Sequence, residues 1–159
     1  MIALRCDGHG SSDASARWAR QRRTKRSSGE RPIRVLVVDD DDRMRDLVRV
    51  YLDRSSRCEV VGEGCDGHDA IRLADALNPD VVVLDITMPG LSGLDALPSV
   101  RRVAPRARIL MYTSRAPVEC RLALERGADD FCRKGDSLKA IVERVITLAD
   151  RAAESGRTH

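Results

Sequence analysis

Residues 81–84 of this 159-residue chain read Val-Val-Val-Leu, and Asp85 closes the run. Such a stretch has no polar side to give to water. It reads as a strand buried on both faces, the habit of a parallel sheet with helices on each side. Parallel neighbours cannot be joined by hairpins, so the remaining chain has to supply crossovers. From Ile33 onward, apolar strand-like runs alternate five times with segments of helical apolar spacing. Strands are expected near 33–38, 58–62, 80–84, 107–112 and 129–133, and helices near 42–54, 67–77, 93–103, 117–126 and 136–152. With right-handed crossovers this is an α/β fold, a doubly wound parallel sheet.

Local signals refine the helices. Met44, Leu47, Val48 and Tyr51 make an inward stripe on the first; Ala70, Leu73, Ala74 and Leu77 do so on the second. Leu138, Ile141, Val142, Val145 and Leu148 form the stripe of the last. Asp66-Gly67 opens the second helix and Asn78-Pro79 stops it. Ser92 caps the third, and Pro98 within it removes a backbone donor, so a kink is expected there.

The strand ends carry the chemistry. Asp85 stands at a carboxyl end, where open α/β sheets place their sites. The first strand, Ile33 to Val38, runs into Asp39-Asp40-Asp41-Asp42. If the two strands are neighbours, three carboxylates gather in one pocket, a donor set suited to a hard cation such as Mg²⁺. Thr113 closes the fourth strand-like run and Lys134 the fifth. Asp41 and Asp42 read as first-turn or capping carboxylates rather than ligands.

This order resembles the receiver domain of bacterial two-component response regulators. The matching features are Asp39-Asp40, Asp85 followed by Met88-Pro89, Thr113, Gly127-Ala128-Asp129, Phe131 and Lys134, together with Asp66-Gly67, over roughly residues 33–150. The resemblance implies a flavodoxin-like (βα)₅ sheet in strand order 2-1-3-4-5, with its switch point between the two acidic strands. It implies that Asp85 takes a phosphoryl group from a sensor histidine kinase or phosphotransfer protein. It also implies that Asp39, Asp40, Asp85 and the Thr87 backbone carbonyl hold Mg²⁺, and that Thr113 and Lys134 contact the phosphoryl oxygens. Thr113 and Phe131 would form the switch, remodelling the helix 4–strand 5–helix 5 face for a downstream protein or a second copy of the chain. Phe131 stands where the family often has tyrosine, and Gly135 where many members have a proline, often with a cis bond.

Charge is unevenly spread. Residues 1–32 hold 8 Lys/Arg against 3 Asp/Glu, while residues 33–159 hold 20 against 22. The first segment reads as a disordered basic tail, residues 33–152 as the receiver, and 153–159 as a short tail. After Arg151 only Ala152 to His159 remain, so a stand-alone receiver is expected. No apolar run approaches the length of a membrane span. Five cysteines without a CxxC pair read as reduced thiols, and the cytoplasm is the expected compartment. Cys6-Asp7-Gly8-His9 and Cys65-Asp66-Gly67-His68 offer a zinc set on paper, but Asp66-Gly67 is already explained as a helix start. Cys58, Cys120 and Cys132 read as small buried apolar residues.

Other classes fit these residues less well. A pseudo-receiver scaffold would not need the intact Asp39/Asp40/Asp85/Thr113/Lys134 set. A phosphatase-like hydrolase would need a general acid two residues after the nucleophile, where this chain has Thr87. The chain is therefore not expected to be an enzyme beyond gaining and losing its own phosphoryl group. The basic tail could meet nucleic acid, though such runs are usually solvated. A receiver part of a DNA-binding regulator without its output domain is the remaining alternative.

Overall fold

The computed structural model describes residues 31–114 and 117–155. Five strands alternate with five helices: β1 (Ile33–Val38), α1 (Asp42–Arg54), β2 (Cys58–Gly64), α2 (Gly67–Leu77), β3 (Val81–Leu84), α3 (Gly93–Val103), β4 (Arg108–Thr113), α4 (Pro117–Glu125), β5 (Asp130–Arg133) and α5 (Leu138–Ser155). All strand pairs are parallel, in the order β2-β1-β3-β4-β5. The expected flavodoxin-like order is present, with the two acidic strands as neighbours.

Strand alternation splits the core into two layers. Leu36, Val82, Leu84, Ile109 and Met111 face Ala70, Leu73, Ala96, Leu97 and Val100 of α2 and α3. Val35, Val37, Val81, Val83, Leu110 and Tyr112 face Val48 and Leu52 of α1 and Ile141, Val145 and Leu148 of α5. Every residue of β3 is buried, as a strand covered on both sides requires.

The ends and one stripe differ from expectation. The inward face of α1 is Arg45, Val48 and Leu52, while Leu47 and Tyr51 are exposed. Arg45 takes the inner position because its guanidinium has main-chain and carboxylate partners there. β2 runs on to Gly64, where Asp39 N donates to the Gly64 carbonyl at 3.1 Å. α5 continues to Ser155, so Ala153 to Ser155 are helical rather than tail. Arg31, assigned by composition to the tail, pairs with Asp80 at 2.8 Å. Residues 1–30 of that basic segment lie outside the described residues.

α3 runs on through Pro98. The proline leaves the Leu94 carbonyl without its helical donor, and Arg126 Nη1 reaches that oxygen at 3.4 Å. Ser92 caps the helix by accepting from Asp95 N at 3.1 Å. Asp41 caps α1, accepting from Arg43 N at 2.9 Å, and Asp66 caps α2, accepting from Asp69 N at 2.8 Å. Asn78 ends α2 in the left-handed region with φ of 46°.

Candidate functional site

The site lies where β1 and β3 end side by side. Val38 pairs with Leu84, and the next residue on each strand is an aspartate. Asp85 N donates to the Val38 carbonyl at 2.9 Å, which carries the sheet bonding one step into the loops. Asp39 and Asp85 are buried, only 2% and 4% exposed, whereas Asp40 is exposed. One oxygen from each of the three carboxylates lies within 4.8 Å of the others.

Lys134 answers the buried charge. Its Nζ donates to Asp85 Oδ2 at 3.0 Å and stands 2.6 Å from Asp39 Oδ2. The second approach is off the line of a well-formed hydrogen bond, so Asp39 Oδ2 is a buried carboxylate oxygen without an aligned donor among the described residues. Asp39 Oδ1 accepts from Asp41 N at 2.9 Å, and Asp85 Oδ1 is 3.4 Å from Thr87 N. Burial pushes the Asp85 carboxyl above its ordinary range; Lys134 opposes this and Asp39 reinforces it. Burial alone would lower Lys134, but its close ionic contacts with the Asp39 and Asp85 carboxylates outweigh it and hold the ammonium above its ordinary value.

The fourth and fifth strands bring the remaining expected residues. Thr113 is fully buried at the end of β4, and its carbonyl accepts from Lys134 N at 3.0 Å. Phe131 pairs with Met111 across β4 and β5 and is half-buried against the layer beneath α2 and α3. Thr87 is exposed, and Met88 beside it plugs into the core. The loop turns at Gly90, with φ of 73°. After Lys134, Asp136 N closes a turn onto the Arg133 carbonyl at 2.9 Å.

Three further residues shape the pocket and were not singled out from sequence. Arg45 is buried, donates to the Asp39 carbonyl at 2.6 Å and pairs with Asp42. Its signal was the 45-48-52 spacing, which fits a helical face as well as the apolar count did. Gly93 meets the Asp85 main chain directly. Tyr112 is 2% exposed, its hydroxyl has no hydrogen-bond partner among the described residues, and its ring centroid is 5.8 Å from Lys134 Nζ. Burial pushes the Tyr112 phenol up to about 12, with Cys132 adding and Lys134 opposing.

Of the zinc alternative, Cys65 Sγ points to Asp69 Oδ2 at 3.3 Å, and Cys6 and His9 lie outside the described residues. Cys58, Cys120 and Cys132 are buried as expected. No helix among the described residues is long and apolar enough to cross a membrane.

A parallel five-stranded sheet with a lysine-bridged acidic pocket at its switch point defines a class of signalling domain. A sequence profile of the response regulator receiver domain matches residues 35–146, and the chain belongs to that family. It is 41% identical over 133 residues to a protein-glutamate methylesterase/protein-glutamine glutaminase of Caulobacter vibrioides, covering 80% of this chain and 39% of that protein. It is 37% identical over 114 residues to the response regulator protein VraR of Staphylococcus aureus, covering 71% of this chain and 54% of that protein. The chain thus spans about half or less of these curated relatives. Among solved structures, it resembles the signal receiver domain of NarL from Mycobacterium tuberculosis (TM-score 0.73, 34% identity, 76% of this chain and 98% of that one). It also resembles the response regulator domain of Thermotoga maritima CheB (TM-score 0.67, 34% identity, 77% and 96%). The chain is therefore a receiver of a two-component signalling system.

Proposed function

We propose that this receiver is phosphorylated on Asp85 by a phosphohistidine of a sensor histidine kinase or phosphotransfer protein. The observation that carries the reading is the single ammonium of Lys134 spanning Asp39 and Asp85, at 2.6 and 3.0 Å. An Asp85 oxygen attacks phosphorus, a P–O bond forms as the P–N bond breaks, and the imidazole nitrogen leaves with the bonding pair. Lys134 offers a positive charge to a phosphoryl oxygen, and Thr113 offers a hydroxyl. Hydrolysis of the acyl phosphate later returns the carboxylate; no turnover of an outside substrate is assigned to this chain.

Asp39, Asp40 and Asp85, with the Thr87 carbonyl, would hold Mg²⁺. The fit rests on the donor set: hard carboxylate oxygens close together, one of them buried without an aligned donor. When bound, the cation neutralises charge shared between the carboxylates and the incoming phosphoryl group.

Thr113 then moves toward the phosphoryl group and Phe131 fills the vacated space, so that the α4–β5–α5 face changes and a downstream protein docks there, in the cytoplasm. The direct test is mass spectrometry after incubation with acetyl phosphate and Mg²⁺. The wild-type chain gains one hydroxylamine-labile phosphoryl group and Asp85→Asn gains none. Equal labelling of the variant rejects Asp85 as the acceptor.

A further inference from the structure

We infer that the Tyr112 ring is the support that keeps the Lys134 ammonium in the carboxylate pocket when a divalent cation takes Asp39. The inference rests on the phosphoacceptor reading above and adds a positioning residue to it.

Tyr112 lies on the α1/α5 side of β4, paired in register with Cys132, two residues before Lys134. The Lys134 ammonium is over its ring, 5.8 Å from the centroid, within the range of a cation–π contact. The hydroxyl is buried without a hydrogen-bond partner among the described residues, so the ring rather than the oxygen is the part of Tyr112 with a partner in the site.

The other two anchors of Lys134 are Asp39 and Asp85. Both are the groups that a cation and a phosphoryl group would claim. A divalent ion at Asp39 repels the ammonium and competes for the same oxygen. The ring face carries no net charge and is not a ligand for a hard cation, so its attraction for the ammonium persists. Lys134 has a flexible four-carbon stem and loses much rotamer freedom by staying in place. Without the ring, the metal-bound pocket would release that stem toward solvent.

The test uses the full chain as wild type, Tyr112→Phe and Tyr112→Leu, each with saturating Mg²⁺. The first readout is the NMR shift of the Lys134 ε-methylene, which a ring face moves upfield. The second is the rate of labelling by acetyl phosphate. Wild type and Tyr112→Phe should both keep the upfield shift and label at similar rates. Tyr112→Leu should lose the shift and label about tenfold more slowly, in line with a partly desolvated cation–π contact. An ordinary Lys134 shift in Mg²⁺-loaded wild type overturns the inference, as does Tyr112→Phe losing as much rate as Tyr112→Leu. If Tyr112→Leu does not fold, the shift in wild type and its persistence in Tyr112→Phe decide. A wild-type chain that takes no phosphoryl group defeats the phosphoacceptor reading, while the Lys134 shift still decides the role of Tyr112.

Discussion

Gly93, the first residue of α3, presses on the Asp85 peptide: a Cβ at position 93 would stand 1.8 Å from the Asp85 carbonyl oxygen. Gly93 N also donates to the Ile86 carbonyl at 2.9 Å. The backbone that carries the proposed acceptor carboxylate is therefore set from behind by the start of a helix. Gly93→Ala must push either the Asp85 peptide or α3 away. We expect a loss of about 1–3 kcal/mol in urea unfolding, the usual cost of overpacking. Labelling of Asp85 by acetyl phosphate should fall by about tenfold or more, because small displacements of reacting groups are costly. A variant with unchanged stability and unchanged labelling would show that the contact is relieved without moving Asp85.

Arg45 fixes the other side of the pocket. It joins the Asp39 carbonyl at 2.6 Å to the Asp42 carboxylate, so one guanidinium spans the turn that presents Asp39 and Asp40. Arg45→Ala frees that turn and leaves a buried carbonyl short of a donor. A destabilisation of about 1–3 kcal/mol is expected from the lost charged hydrogen bond. Mg²⁺ affinity, followed by thermal shift, should weaken several-fold because the two carboxylates are no longer held in one place. Full Mg²⁺ affinity in a folded Arg45→Ala chain would remove Arg45 from the account of the site.

The acidic pocket makes stability depend on pH in a definite direction. Burial holds the folded Asp85 carboxyl above its unfolded value, with Asp39 reinforcing and Lys134 opposing. Between those two values the native state binds more protons than the unfolded one, so stability falls as pH rises through that window. Mg²⁺ held as proposed on the ionised carboxylates would relieve the cost above the window and compete with protons within it. Millimolar Mg²⁺ should therefore raise the melting temperature at pH 7 and raise it less in acid. Asp85→Asn should melt above wild type at pH 7 without metal, an advantage that disappears below the ordinary carboxylate range. Melts of both proteins across pH, with and without Mg²⁺, check the sign.

Asp129 shows the opposite sign. Burial would raise its carboxyl, but Ile109 N, Arg108 and Arg101 together outweigh this and hold it below the ordinary value. Its oxygens accept from Ile109 N at 2.7 Å, Arg101 at 2.6 Å and Arg108 at 2.9 Å. Its contribution is present above the unfolded carboxylate value and is lost as pH falls through the folded one. Asp129→Asn should cost roughly 1–3 kcal/mol at neutral pH, allowing for the partial exposure of both arginines. The difference from wild type should shrink in acid. A deficit that persists unchanged in acid would mean that the charge is not what matters.

Much of this arrangement was legible because it depends on short-range patterns. The valine run of β3, the caps at Asp66 and Ser92 and the stop at Asn78 are local, and each appears where the residues place it. What escaped depends on contacts across the fold. Apolar spacing puts Leu47 and Tyr51 inward on α1, but the inner position belongs to Arg45, whose partner Asp39 lies outside the helix in the β1–α1 loop, held there by the pairing of β1 with β3. Pro98 shows the same limit: the free carbonyl of Leu94 is local, whereas Arg126, which meets it, follows α4. Gly93 and Tyr112 carry no motif; only the packing of α3 on Asp85 and of Lys134 over β4 gives them a part.

The last prediction concerns the α4–β5–α5 face. In sequence its charges alternate in sign through Arg115, Glu119, Arg121, Glu125, Asp129, Asp130, Arg133 and Lys139. Arg115 lies outside the described residues. Asp129 is engaged by Arg101 and Arg108, and Asp130 pairs with Arg144 at 2.7 Å, so neither acid is unclaimed. Arg121, Glu125 and Arg133 stay exposed, and α4 also exposes two apolar side chains on different sides of the helix, Val118 at 77% and Leu124 at 40%. An exposed apolar side chain such as Val118 on a helix with charges of both signs suits a two-fold contact, in which each patch meets its opposite. If phosphorylation frees this face, the beryllofluoride-treated chain should self-associate in analytical ultracentrifugation, and the untreated chain should not. Val118→Asp should weaken that association about tenfold or more, since it places a carboxylate against its own symmetry mate. Labelling of Asp85 by acetyl phosphate should be unaffected. A chain that stays monomeric in both states, with no change in amide exchange over residues 117–140, would leave this face without a role in self-association.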